Sequence, residues 1–222
     1  PEAASELDSM GATPLHWATR NPSMNKSTLM TIIRANAKAP MTKDNLGYLP
    51  LHWAVCQDSP NLEVVNTLIS TYPEGLMIKC SENTLPIHWC VNRAKPCIEV
   101  VKLLIEANVD SLGFGCGTGY TALHRCVARE NPSVETMQLL IDAYPDAIEK
   151  TNDDGHLPLH LVIDFDSPSV EAVKLLLSNN PSSAGVADKY GHLPLHCLLD
   201  NPTPNYLLAE LVLEAYPYAA ET

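Results

Sequence analysis

The chain is poor in aromatics, in positive charge and in glycine. Phe, Tyr and Trp make up 6% of its 222 residues and Phe occurs only twice, so no large aromatic core is being built. Lys and Arg number 14 against 26 Asp and Glu, a net charge of −12 at pH 7. Nucleic-acid binding by counterion release needs clustered Lys and Arg, so this balance argues against a nucleic-acid partner. The deficit is uneven, because residues 151–222 hold ten acids and only two bases, Lys174 and Lys189. No stretch of about 18 apolar residues occurs, which argues against direct membrane insertion. No charged n-region with an apolar h-region opens the chain, and no secretory signal is visible. The seven cysteines form no C-x-x-C and no Cys/His set at zinc spacing. An odd, unpatterned set points to an intracellular, reducing compartment: cytoplasm, nucleus, or an organelle reached by a segment ahead of Pro1. G-x-S-x-G, P-loop, G-x-G-x-x-G and H-E-x-x-H phrases are also missing, so no catalytic residue, cofactor or metal is expected.

What is present is repetition. His16, His52, His88, His124, His160 and His196 stand 36 residues apart, each closing a four-residue phrase: TPLH, LPLH, LPIH, TALH, LPLH and LPLH. Gly11, Gly47, Gly119, Gly155 and Gly191 lie five residues earlier, with Asn83 in the remaining slot. Glycine with asparagine as its substitute marks a backbone position of positive φ. Ahead of it stand Asp8, Asp44, Asn152 and Asp188, side chains suited to bonding the backbone of a turn. The Thr/Leu-Pro pair after the glycine predicts a helix start, since proline fits the first helical position. Thr13 and Thr121 add hydroxyls that can cap. Small or apolar residues then face inward: Ala18, Ala54, Cys90, Cys126, Val162 and Leu198. A Pro column (Pro60, Pro96, Pro132, Pro168, Pro204) marks the turn into a second helix, and a Glu column comes after it (Glu63, Glu99, Glu135, Glu171). The second helix carries apolar residues at helical spacing, as in Val64, Val65, Leu68 and Ile69, in Val100, Val101, Leu104 and Ile105, and in Val134, Met137, Leu140 and Ile141. It closes at Tyr72-Pro73, Tyr144-Pro145, Asn180-Pro181 and Tyr216-Pro217. One unit is therefore turn, helix, turn, helix, and neither helix buries its apolar stripe without a stacked neighbour.

With its TPLH phrase after a glycine turn and before a helix pair, the chain resembles ankyrin repeats. The resemblance covers essentially the whole sequence in six in-register copies, at about 8–43, 44–79, 80–115, 116–151, 152–187 and 188–222, read as one domain. It implies an all-α solenoid of stacked helix-turn-helix units. The unit is a 36-residue LPLH/Tyr-Pro variant of the common 33-residue repeat. Two extra residues fall at the Pro60-type turn and one near Tyr-Pro. Pro1-Glu2-Ala3-Ala4 aligns with Pro145-Asp146-Ala147-Ile148 and with Pro217-Tyr218-Ala219-Ala220, and Leu207, Leu208, Leu211 and Val212 leave the last helix as apolar as any other. A segment of a longer array is expected.

The periodic histidines read as structural, each ring bonding a neighbouring turn, because one per repeat cannot share a zinc ion. Cys90 and Cys126 read as packing thiols. Trp17, Trp53 and Trp89 read first as packing between helix layers, with a binding stripe as the alternative. Residues that break the period are the candidates for binding. In ankyrin arrays partners lie along the concave groove and the hairpin tips. At the tips the resemblance points to Tyr48, Tyr120, His156 and His192, expected on exposed hairpins, and beside helix one to Arg93, Arg125, Arg129, Asp164, Phe165 and Asp200. Basic residues at the third and fourth units and acidic ones at the fifth and sixth imply a partner of matching charge gradient. The function implied is a protein-interaction scaffold for a partner protein or peptide. The alternatives are a structural subunit held in a larger complex by its ends or convex face, and a non-catalytic arm of a multidomain enzyme such as a kinase.

Overall fold

Proline's missing N–H costs nothing at a first helical position. In the computed structural model, which describes residues 2–201 and 204–217, Pro14, Pro50, Pro86, Pro158 and Pro194 each open a short helix. These are α1 (Pro14–Thr19), α3 (Pro50–Val55), α5 (Pro86–Val91), α9 (Pro158–Ile163) and α11 (Pro194–Asp200), and α7 (Ala122–Val127) opens on alanine. Each is followed by a ten-residue partner: α2 (Lys26–Ala35), α4 (Leu62–Thr71), α6 (Ile98–Ala107), α8 (Val134–Ala143), α10 (Val170–Asn179) and α12 (Tyr206–Ala215). Among the described residues there is no strand.

The second helices are capped by Asn25, Asn61, Ser133, Ser169 and Asn205, whose side chains accept backbone N–H groups of the first turn. The proline column sits immediately ahead of the Asn61, Ser133, Ser169 and Asn205 caps. The Glu column lies in the first turn, where the helix dipole favours negative charge. Proline after Tyr72, Tyr144 and Asn180 ends each helix, and the chain then makes a 3₁₀ turn at Pro73–Met77, Pro145–Ile148 and Pro181–Gly185. The turn-helix-turn-helix reading lacked this element, which occupies the lengthened connection near Tyr-Pro.

The chain forms two compact units, residues 1–111 and 112–222. In the first, α1 packs on α3, α3 on α5, α2 on α4 and α4 on α6. In the second, α7 packs on α9, α9 on α11, α8 on α10 and α10 on α12. Leu15, Leu29, Val64, Leu68 and Ile87 are buried in the first, and Leu123, Met137, Leu140, Leu159 and Leu176 in the second. Each large aliphatic so buried contributes about 1.5–3 kcal/mol. Cys90 and Cys126 are buried in the small column as expected, and burial pushes the Cys126 thiol up to about 12. Val134 departs from its apolar pattern: it opens α8 and stays exposed. Pro1 and the Tyr218-Ala219-Ala220 copy of the end alignment lie outside the described residues.

The turns carry the positive φ that their glycines predict, from 73° at Gly11 to 87° at Gly191, and Asn83 stands in at 58°. In the four turns that open on Asp or Asn one side-chain oxygen bonds two backbone N–H groups: Asp44 Oδ1 takes Leu46 and Tyr48, and Asp188 Oδ1 takes Tyr190 and His192. Successive tips are joined by backbone bonds, such as Ser81 N–H to Leu46 O (2.9 Å) and Asp153 N–H to Thr118 O (3.3 Å). Gly119 is obligatory for a second reason, since a Cβ there would lie 2.6 Å from the Asp153 nitrogen.

Candidate functional site

The histidine of each phrase holds the tips against the first helices. Its Nδ1 accepts the N–H of the residue before the helix, at 3.0 Å from Thr13 for His16 and 3.1 Å from Leu157 for His160. With Nδ1 accepting, the ring proton sits on Nε2. That nitrogen donates to the carbonyl of the next tip: His16 to Tyr48 at 3.0 Å, His124 to His156 at 3.0 Å, His160 to His192 at 3.2 Å. The structural reading of these rings therefore holds. His52 differs, because its buried Nε2 has no partner in bonding geometry. Burial drives His52 and His124 down to about 4 and lowers His16 and His160.

The tryptophan column is tied to the turns through its indole N–H groups, with Trp53 buried as packing requires, Trp89 half-buried and Trp17 exposed. The second oxygen of the turn aspartate accepts the indole N–H, Asp8 from Trp17 at 2.8 Å and Asp44 from Trp53 at 2.9 Å. Where Cys80 replaces the aspartate, Trp89 donates to the Thr84 hydroxyl at 2.8 Å. Where Cys116 replaces it, the column is Arg125, which approaches the Cys116 sulfur at 3.2 Å. Trp17 is 47% exposed and Trp53 9%. The Trp17 and Trp53 rings meet edge to face at 5.5 Å, and the Arg20 guanidinium lies 5.6 Å and 5.8 Å from their centroids.

These rings border a cleft of about 330 Å³ in the first unit, lined by Met10, Arg20, Tyr48, His52, Trp53, Cys56, Gln57 and Trp89. Tyr48 meets Trp89 edge to face at 5.5 Å. Burial raises the Tyr48 hydroxyl well above its ordinary range, so it remains neutral.

A second cleft, of about 480 Å³, lies in the second unit among His156, His160, Leu161, Asp164, Asp188, Tyr190, His192, His196, Cys197 and Asp200. The Asp188 carboxylate is almost wholly buried, and its Oδ2 meets His156 Nε2 at 3.2 Å and His192 Nδ1 at 3.4 Å. Burial opposes its ionisation, but two backbone N–H donors and the flanking histidines keep its carboxyl below the usual range. Burial, with the Asp200 charge adding to it, raises Asp164. Burial pushes the Cys197 thiol up to about 11. The His156 and His160 rings stack at 5.7 Å. Among the described residues no three His, Cys, Asp or Glu side chains are placed to hold a metal ion.

Four of the ten residues singled out from the sequence, His156, His192, Asp164 and Asp200, thus share one cleft, and Tyr48 lines the other. The tips are less open than the sequence implied. His192 is exposed, but Tyr48, Tyr120 and His156 are half-buried, because each lays its side chain beside the histidine four residues on. Arg93 bonds the exposed Asp58. Arg125 stacks on Tyr120 at 5.5 Å, Arg129 is half-buried past the end of α7, and Phe165 accepts the Asn201 side-chain amide on its carbonyl at 3.1 Å. Trp53 and Trp89, for which a binding stripe is the alternative reading of the sequence, line the first cleft together with Arg20. The signal for the tie to the turn is the nine-residue spacing from turn aspartate to tryptophan, 8 to 17 and 44 to 53.

A family model described as ankyrin repeats in many copies matches residues 87–141. No curated protein matches the sequence. Among solved structures, the ankyrin repeat domain of Bcl-3, a member of the IkappaB protein family, is similar at a TM-score of 0.75 and 21% identity, over 94% of this chain and 85% of that one. A chain of the complex between the predatory endopeptidase Bd0816 of Bdellovibrio bacteriovorus and immunity protein Bd3460 is similar at a TM-score of 0.74 and 18% identity, over 94% of this chain and 99% of that one. At these identities the likeness is one of fold. No helix among the described residues is long and apolar enough to cross a membrane.

Proposed function

Because the chain folds as an ankyrin-repeat array, we propose that it is a non-catalytic protein-interaction module, a scaffold that holds a partner protein or peptide along the tips and first helices of its repeats. One observation carries this reading. Residues that keep the 36-residue period build turns, caps and core, whereas many that break it line two open clefts. Variation gathered in preformed clefts is the pattern expected of a recognition site. In the second unit the Asp200 charge strengthens the hold of Asp164 on its proton, and neither carboxylate has an ion pair among the described residues. That supports a basic stretch of partner over the fifth and sixth repeats. Arg125 and Arg129 support an acidic stretch over the fourth. Arg93 supports one over the third, since its surface pair with Asp58 is worth little and is readily exchanged. The net charge of −12 supports a protein partner over a nucleic acid. Six repeat units over residues 8–222, and residence in a reducing compartment, belong to the same reading. The seven free cysteines support the latter.

The test is affinity capture with quantitative mass spectrometry on three baits: the native chain, Tyr120→Ala with Arg129→Glu, and Asp164→Lys with Asp200→Lys. The proposal expects a common partner to be retained by the first and depleted on both variants. Equal capture by all three removes this face as the site. A structural subunit held by one end is the second reading, favoured by Tyr206 and Leu207, which are 78% and 48% exposed on α12. It predicts loss of capture on Tyr206→Ser with Leu207→Ser, not on the variants above.

A further inference from the structure

Building on that reading, we infer that the cleft of the first unit is an anchor site for a partner segment in which an aromatic side chain is followed closely by a carboxylate. The cleft is preformed. Trp53 is fixed by Asp44 and Trp89 by Thr84, so neither ring is free to swing inward and close the space. Gln57 adds a further tie, donating to the Trp53 carbonyl at 2.6 Å. Rigid aromatic walls that need no ordering on association are what make a binding hot spot. The space, about 330 Å³, lies at the small end of ligand pockets and suits one large side chain, not a whole helix.

Ring chemistry and charge choose the occupant together. Tyr48, Trp53 and Trp89 offer edges and faces to an incoming ring, the arrangement in which aromatic pairs attract most. At the rim stands Arg20, exposed and held by cation–π contact with Trp17 and Trp53, with no carboxylate partner among the described residues. The neighbouring carboxylates cannot serve it well, since Asp8 and Asp44 are held by indole and turn N–H groups. A guanidinium held beside aromatic rings still has N–H groups with which to meet a carboxylate. On a chain of net charge −12 this local cation fixes where an acidic segment docks as well as its sign.

The experiment is selection of a displayed library of random twelve-residue peptides on the whole chain. Binding of the enriched peptides is then measured by intrinsic fluorescence, because Trp17, Trp53 and Trp89 are the only tryptophans and all border this region. Expected is enrichment of Phe, Tyr or Trp followed within a few positions by Asp or Glu, with a shift in tryptophan emission on binding. Arg20→Glu leaves the fold intact, lowers affinity by about tenfold or more, and redirects a fresh selection toward Lys or Arg beside the aromatic. Trp89→Ala abolishes binding and Trp89→Phe retains most of it, with circular dichroism confirming that both fold. The inference is overturned if no peptide is enriched, if the enriched set lacks the aromatic–acid pairing, or if Arg20→Glu leaves affinity within about twofold. Peptides lost on Asp164→Lys with Asp200→Lys but indifferent to Arg20→Glu sink this inference and leave the interaction-module reading standing.

Discussion

Lowering the pH from 7 to 5 loosens this fold through its buried histidines, and the first unit is the place to measure it. His52 has a folded pKa of about 4 because burial disfavours the imidazolium, against 6.5 in the unfolded chain. A base whose pKa is depressed by folding contributes stability that is present above pH 6.5 and lost as the pH falls toward 4. Two and a half units at 1.36 kcal/mol each give a full loss of about 3 kcal/mol, of which about 2 kcal/mol has gone by pH 5. His16, lowered for the same reason, adds to this in the same unit. Against a typical stability of about 5–15 kcal/mol the effect is large. Urea unfolding followed by tryptophan fluorescence reports this unit alone, as all three tryptophans lie in it. The midpoint should fall steadily from pH 7 through 6 to 5. His52→Gln is the control, because a glutamine at this third helical position can reach back to the Leu49 N–H that His52 now bonds, and it does not titrate. Its pH slope should be shallower than that of the native chain by up to one proton, about 1.4 kcal/mol per pH unit. Equal midpoints at pH 7 and 5, or a His52→Gln slope parallel to the native one, would refute the assignment.

Other consequences are as direct. Gly119→Ala and Gly191→Ala both force alanine to positive φ, at about 1–2 kcal/mol, but only the former also drives a Cβ onto the Asp153 backbone. Thermal unfolding should therefore rank Gly119→Ala as clearly the more damaging. Asn61→Ala removes the cap of α4 together with two bonds from its amide to the Pro22 and Met24 carbonyls, and should cost about 2 kcal/mol in urea titrations. Leu140→Ala opens a cavity in the second unit, with an expected loss of about 2–5 kcal/mol and an unchanged tryptophan signal.

The turns and helices were legible because each is specified locally. Positive φ needs Gly or Asn, Pro14 and its equivalents sit where a helix can accept them, and one histidine per unit can only reach the adjoining turn. The 3₁₀ turns after Tyr72 and Tyr144 were not, since a Tyr-Pro pair stops a helix but leaves the conformation of the next residues open. Trp17 departs from the packing reading for a physical reason. An apolar ring at a helical position argues for core, but the indole N–H needs an acceptor. The turn aspartate nine residues earlier supplies it and draws the ring to the tip. Likewise His156 reads as an exposed tip until the depth of the Asp188 carboxylate, which no spacing reveals, turns it inward.

Hydrogen–deuterium exchange on the chain with its captured partner tests the central claim most directly. If the tips and first helices are the recognition face, protection on binding should fall on tip residues such as 44–48 and 188–192 and on α1, α3, α9 and α11, with the outer sides of α4 and α10 unchanged. Protection confined to the second helices, or to α12, would contradict the account.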